Sequence, residues 1–157
     1  MIEEGSYVNN PNDPGKETKF GISKKQYPDL DIPNLTIVEA ERIYRDDYWK
    51  RCSCDDLVWP LDLYVFDTAV NLGCDEKASF RTQKLLQHTL GVVEDGIIGP
   101  VTLRAAASVA ANRNFLARFM TNRLKYYQSL PTYPEFGTGW TIRVLRIVME
   151  GASRISV

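Results

Sequence analysis

One histidine, His88, stands in a chain of 157 residues, and cysteine occurs only three times. Zinc peptidases and zinc amidases draw on two or three imidazoles, so this composition argues against them. Cys52 and Cys54 are separated by one residue and Cys74 lies twenty positions further on, which is no zinc spacing without a well-placed histidine. They read as reduced, partly buried thiols, with a nucleophilic pairing of one of them with His88 as the minor alternative. His88, beside Gln87, reads as a capping or packing residue. Long apolar runs are also missing: Ala105-Ala-Ala-Ser-Val-Ala-Ala111 is typical of the longest, so no membrane span or membrane insertion is expected. The opening Met1-Ile-Glu-Glu-Gly5 has neither the basic start nor the apolar stretch of a secretory signal, so synthesis in the cytoplasm is expected.

With 44% hydrophobic and 25% charged residues, the composition is that of an ordinary globular chain about one domain long. A chain of this size buries roughly two thirds of its unfolded surface, enough for a core without metal or disulfide staples. The net charge of −1 hides an asymmetry: residues 1–100 carry 11 Lys/Arg against 18 Asp/Glu, and residues 101–157 carry 8 against 2. The basic end suits an anionic polymer or a solvated helix face. Short basic clusters without glycine–aromatic motifs argue against sequence-specific nucleic-acid binding.

From Gly5 to Asn34 the chain is rich in turn formers, and Thr18-Lys-Phe-Gly-Ile-Ser23 has the length of one strand of a hairpin. A long polar loop on a compact protein is more often functional than idle, so residues 5–34 are the first sign of a site. Helical periodicity follows. Thr36 and Glu39 form a capping box, and Ile37, Ala40, Ile43, Tyr44 and Tyr48 mark one face as far as about Lys50. Pro60 through Leu72, closed by Gly73, is nearly all apolar and predicts the central helix at 60–72. Further helices are expected at 76–89, 100–111, 114–129 and 139–150, the last two separated by Pro131, Pro134 and Gly137. The expected fold is mainly α with one small β-hairpin near the N-terminus.

Glu4, Asp13 and Thr18 place a carboxylic acid, a carboxylate and a hydroxyl around the polar hairpin. Glycoside hydrolysis needs such a set: a carboxyl of raised pKa protonates the leaving oxygen, and a second carboxylate activates water or steadies the cationic sugar. A separation of roughly 6.5–9.5 Å would leave room for that water. Asp13, before Pro14-Gly15, equally suits a turn residue capping its own backbone. Asp67 and Asn71, four apart on the central helix, share a face and need polar partners, either the hairpin backbone or a substrate. Asp95-Gly-Ile-Ile-Gly-Pro100 has the composition of a tight turn into a helix.

The stretch from Glu4 to Ser23 closely resembles the opening signature of the glycoside hydrolase family 108 muramidases, which runs Glu-Gly-Gly-Tyr, then Asn and Pro residues, then Asp-Pro-Gly-Gly-x-Thr-x-x-Gly-Ile. Ser6 and Lys16 stand where that pattern has glycine. Ile43-Tyr-Arg-Asp-Asp-Tyr-Trp49, Val65-Phe-Asp-Thr-Ala-Val-Asn-Leu-Gly73 and Trp140 with Arg143 are also similar to the family, and Gln83 to Thr102 resembles the peptidoglycan-binding module that follows its catalytic part.

The resemblance implies a lysozyme-like muramidase part over residues 1–74, with a peptidoglycan-binding-like helical module over 75–157 packed against it. It implies Glu4 as general acid, because Glu4 and not Glu3 precedes Gly5-Ser-Tyr7, with Asp13 and Thr18 positioning water. Tyr7, Tyr48 and Trp49 become candidate cleft walls, with core packing as the other role open to each ring, and Asp67 and Asn71 become further substrate contacts. The implied reaction is cleavage of the β-1,4 bond between N-acetylmuramic acid and N-acetylglucosamine, without metal or cofactor, by a monomer acting on peptidoglycan strands. A holin or a secretion route would deliver it to the wall. Only three residues precede Glu4, where members usually have a helix, which suggests a shortened start and motivates a non-catalytic wall-binding alternative. A lytic transglycosylase, using one glutamate and no water, is the other alternative.

Overall fold

The computed structural model describes residues 7–9 and 17–153. The chain divides between Asp47 and Tyr48 into two compact units. The boundary falls inside a single π-helical turn, Arg45–Trp49.

The first unit begins with a three-stranded antiparallel sheet, β1 (Val8–Asn9), β2 (Glu17–Lys19) and β3 (Ile22–Ser23), with β2 in the middle. Thr18 faces Val8 on one side and Ser23 on the other. The segment expected to form one strand is therefore itself a hairpin. Its two turn residues, Phe20 and Gly21, have φ of 52° and 76°, and two positive φ values in succession match the twist of a tight two-residue loop. A phenylalanine rarely accepts that conformation. Here its ring packs against the apolar cluster of Ile22, Ile32, Leu35 and Ala40, and its carbonyl accepts from the Tyr44 hydroxyl at 2.9 Å.

Gly21 is doubly constrained, because a Cβ built there would stand 2.6 Å from the Tyr44 hydroxyl oxygen. Gly21→Ala is expected to destabilise this unit by about 1–2 kcal/mol, the usual cost of a left-handed non-glycine residue, before the clash is added. Urea denaturation of the two proteins checks it, and equal midpoints would mean that the turn relaxes freely.

Helix α1 (Ile37–Tyr44) opens at the capping box: the Thr36 hydroxyl accepts from the Glu39 amide, and the Glu39 carboxylate accepts from the Thr36 amide at 2.9 Å. Tyr27 donates to Asp47 at 2.8 Å, and Lys24 and Lys19 each donate at 2.8 Å to the Leu30 and Pro33 carbonyls. These bonds add to the backbone turns Ser23–Tyr27, Tyr27–Leu30 and Ile32–Leu35 in tying down the loop.

The second unit is helical. A 3₁₀ turn at Cys54–Asp56 leads to α2 (Leu61–Leu72), α3 (Arg81–Leu90), α4 (Pro100–Val109), α5 (Arg113–Gln128) and α6 (Tyr133–Ser153). Helix α2 lies at the centre, as its composition demanded, with Leu61, Tyr64, Val65, Ala69 and Leu72 buried and α3, α5 and α6 packed around it. Compactness thus keeps the central helix with the later helices, although the expected module boundary lies after residue 74.

Two helix starts differ from expectation. Helix α3 begins at Arg81 rather than near 76, because Asp75 closes a turn by accepting from the Ala78 amide at 2.9 Å and Ser79 and Phe80 take positive φ. Helix α6 begins at Tyr133 rather than 139. Pro134 sits in its first turn, where no amide donor is needed, and Gly137 lies against the Tyr133 ring, which a Cβ would approach to 2.6 Å.

Candidate active site

Glu4 and Asp13 lie outside the described residues. Thr18, the third member of the expected catalytic set, is half-buried in the central strand β2. Residues directly opposite across an antiparallel pair share a face, so Thr18 and Ser23 bring two hydroxyls side by side. Ser23 was not singled out from sequence, because only the register of β2 against β3 reveals it. Tyr7 is exposed and donates to Glu17 Oε1 at 2.9 Å, which orients its ring on the strand edge.

The other expected cleft walls separate. Tyr48 is only 7% exposed and belongs to the buried interior, which favours core packing, the other role expected of it, over sugar stacking. Trp49 is half-buried, donates its indole N–H to Asp55 at 2.8 Å and meets Phe66 edge-on at 5.5 Å. Both tyrosine and tryptophan sit in the π-helical turn, a feature that often marks functional positions.

Asp67 also departs from expectation. It is 5% exposed and is held by two arginines of the later helices. Arg143 Nε and Nη2 donate to its Oδ1 at 2.9 and 2.7 Å, and Arg123 Nη1 makes an ion contact with its Oδ2 at 2.6 Å. Arg123 is fully buried, and its Nε donates to the Tyr127 hydroxyl at 2.9 Å. Burial raises the Tyr127 phenol above its ordinary pKa, so it stays neutral beside these charges. Asn71 donates from its side chain to the Asp67 carbonyl at 2.9 Å, one turn back along α2. Asp67 thus joins α2 to α5 and α6, while Asn71 is half-buried on the same helix.

The turn between α3 and α4 is organised by a buried glutamine. Gln87 Nε2 donates to Asp95 Oδ1 at 2.6 Å and to the Ile97 carbonyl at 3.0 Å, while its Oε1 accepts from the Gly96 amide at 2.8 Å. Asp95 Oδ1 accepts in addition from the Ile97 amide at 2.8 Å. The amide of Ile97 first, and the side chain of Gln87 second, hold the Asp95 carboxyl below its ordinary pKa. A folded pKa below the unfolded one adds stability that is complete above the ordinary carboxylate range and is lost as pH falls through the folded value. Asp95→Asn is accordingly expected to narrow its stability gap to the parent protein as acid is added below about pH 4. Thermal melts at stepped pH check this, and a constant gap would show that the carboxylate charge contributes nothing.

Nucleophilic cysteine chemistry finds no support here. Cys52, Cys54 and Cys74 are buried free thiols. The Cys74 thiol beside it and then burial push Cys52 up, and burial chiefly pushes Cys54 up, so neither forms a thiolate at neutral pH. His88 is exposed and pairs with Glu94 at 2.9 Å. Among the described residues, no group of three or more His, Cys, Asp or Glu side chains is placed to hold a metal ion.

A small antiparallel sheet with a polar loop, followed by helices gathered around one buried helix, is the mainly α architecture of the lysozyme-like glycan hydrolases. The family model described as glycosyl hydrolase 108 matches residues 1–73, and the one described as a predicted peptidoglycan domain matches residues 81–145. The solved structure of Brucella abortus SagA is 34% identical, with 96% of this chain and 88% of that chain covered and a TM-score of 0.82. No curated protein matches the sequence. The chain belongs to glycosyl hydrolase family 108 and carries a peptidoglycan domain after its hydrolase part.

Proposed function

We propose that this chain is an N-acetylmuramidase, hydrolysing the β-1,4 bond between N-acetylmuramic acid and N-acetylglucosamine in peptidoglycan. The observation that carries this reading is the family match over residues 1–73, which contains the whole Glu4-to-Ser23 signature. Glu4 donates a proton to the glycosidic oxygen, the sugar passes through an oxocarbenium-like state, and water held near Asp13 and Thr18 completes a single displacement. The strand position of Thr18 supports the last role, since a hydroxyl fixed in the middle of a sheet, with Ser23 beside it, is suited to orienting a water. Tyr7 and Trp49, each carrying a flat ring with its polar atom bonded, serve as sugar platforms. The protein works as a monomer and reaches the wall by release through a holin or a secretion route.

Product analysis on purified sacculi tests the reaction. Mass spectrometry should find reducing ends that have gained water. Ends carrying a 1,6-anhydro bridge would assign the chain to the lytic transglycosylases instead, and wall binding without any new ends would make it a binding protein.

A further inference from the structure

The network around Asp67 does not balance. One carboxylate faces two guanidiniums, and no second acid joins them among the described residues. Arg123 is sealed inside, so the surplus positive charge is expressed at Arg143, whose side chain is 46% exposed. Arg143 spends its Nε and one Nη2 proton on Asp67 Oδ1. Of its five N–H donors, the Nη1 pair and the second Nη2 proton remain, and the two that point away from the stem form the end-on fork that matches a carboxylate. Asp67 thereby fixes the orientation of a half-exposed guanidinium that keeps donors to spare.

The same face of α6 carries aromatic rings. Phe136, Gly139 and Arg143 follow at helical spacing, with Trp140 one position on from Gly139. Trp140 stacks on the buried Tyr127 at 4.9 Å and 29° and neighbours Phe136 at 5.9 Å, and Phe136 is 47% exposed. Gly139, between them, has open space where a side chain would stand. Flat rings, a gap and an oriented cation along about two turns of helix make a surface for a saccharide bearing an anionic substituent. Arg146, one turn further, adds positive charge. Glu135, eight residues before Arg143, lies about 12 Å away along the axis, beyond the screening length at physiological salt.

We propose that this stripe, Phe136, Gly139, Trp140 and Arg143, docks the peptide-bearing muramyl unit of peptidoglycan, with a stem-peptide carboxylate on Arg143 and the apolar side of the sugar or peptide on the rings. It rests on peptidoglycan being the polymer this chain acts on. The occupant follows from charge: in intact wall the lactyl carboxyl is consumed in the amide to the peptide, so the carboxylates available to Arg143 are those of the peptide.

The test is equilibrium binding, by calorimetry, of the disaccharide-tetrapeptide, of the same disaccharide without peptide, and of diacetylchitobiose. The full chain should bind the peptide-bearing disaccharide at least tenfold more tightly than either other probe. Gly139→Glu places a carboxylate one turn before Arg143, where it pairs along the helix and fills the gap. It should erase that preference while the melting temperature holds or rises, because glutamate favours helix more than glycine does. Gly139→Ala should keep the preference. Equal affinity for all three probes, tight binding of the peptide-free disaccharide through its lactyl carboxylate, or unchanged binding by Gly139→Glu would each overturn the proposal. Release of reducing ends is measured separately, so a failure of docking and a failure of the hydrolase reading are told apart.

Discussion

Replacing Glu4 by glutamine is expected to slow release of reducing ends from sacculi by on the order of 10²–10⁴-fold, the range that a positioned proton donor supplies. Glutamine keeps the size and hydrogen-bonding reach of glutamic acid but has no proton to give the departing oxygen. The β-1,4 bond would then have to break by expelling an unprotonated alkoxide. Glu3 cannot substitute, because a displacement of about 1 Å already costs on the order of 100-fold. Melting temperature should be unchanged, which separates the loss of chemistry from the loss of fold. Wild-type turnover by the glutamine variant would remove Glu4 from the reaction and leave the proposed mechanism without its acid.

Asp67→Asn should produce the largest loss of stability, about 3–5 kcal/mol, the cost of stripping a buried charge of its partner. Arg123 is fully buried, so its guanidinium cannot turn to solvent once the carboxylate is gone. In a chain of this length each kcal/mol lowers the melting temperature by about 2–4 °C, so a fall of roughly 6–20 °C is expected. Arg143→Gln should cost much less, since Arg143 is half exposed and Asp67 would retain Arg123. Thermal melts of the two variants decide it. Similar small losses in both would mean that the buried ion pair is replaced without penalty by neutral hydrogen bonding.

The local parts of the fold were legible in the residue order. A capping box needs only Thr36 and Glu39, and both of its bonds are present. The central helix follows from an apolar run bounded by Pro60 and Gly73, and its observed limits, Leu61–Leu72, differ from the expected 60–72 by one residue. The tight turn before α4 is likewise read from Asp95-Gly-Ile-Ile-Gly-Pro100, although the buried glutamine that wires it together was visible only as a neighbour of His88. Of the proposed catalytic set, Thr18 is found on a strand, and the register that sets Ser23 beside it is a property of pairing, not of either residue alone.

Distant partners decided the rest. Phe20 tolerates a left-handed backbone because Tyr44, 24 positions later, bonds its carbonyl. Tyr48 is buried, and whether an aromatic residue is covered or displayed depends on what packs over it. Asp67 announced by its apolar surroundings that it required a partner, but Arg143 lies 76 residues away and nothing in the intervening sequence points to it. Local hydrogen bonding and hydrophobic period act over a few residues and are written in their order. The pairing of buried charges and the choice of exposed rings are settled only when helices far apart in the chain are brought into contact, and it is there that this protein sets the orientation of Arg143.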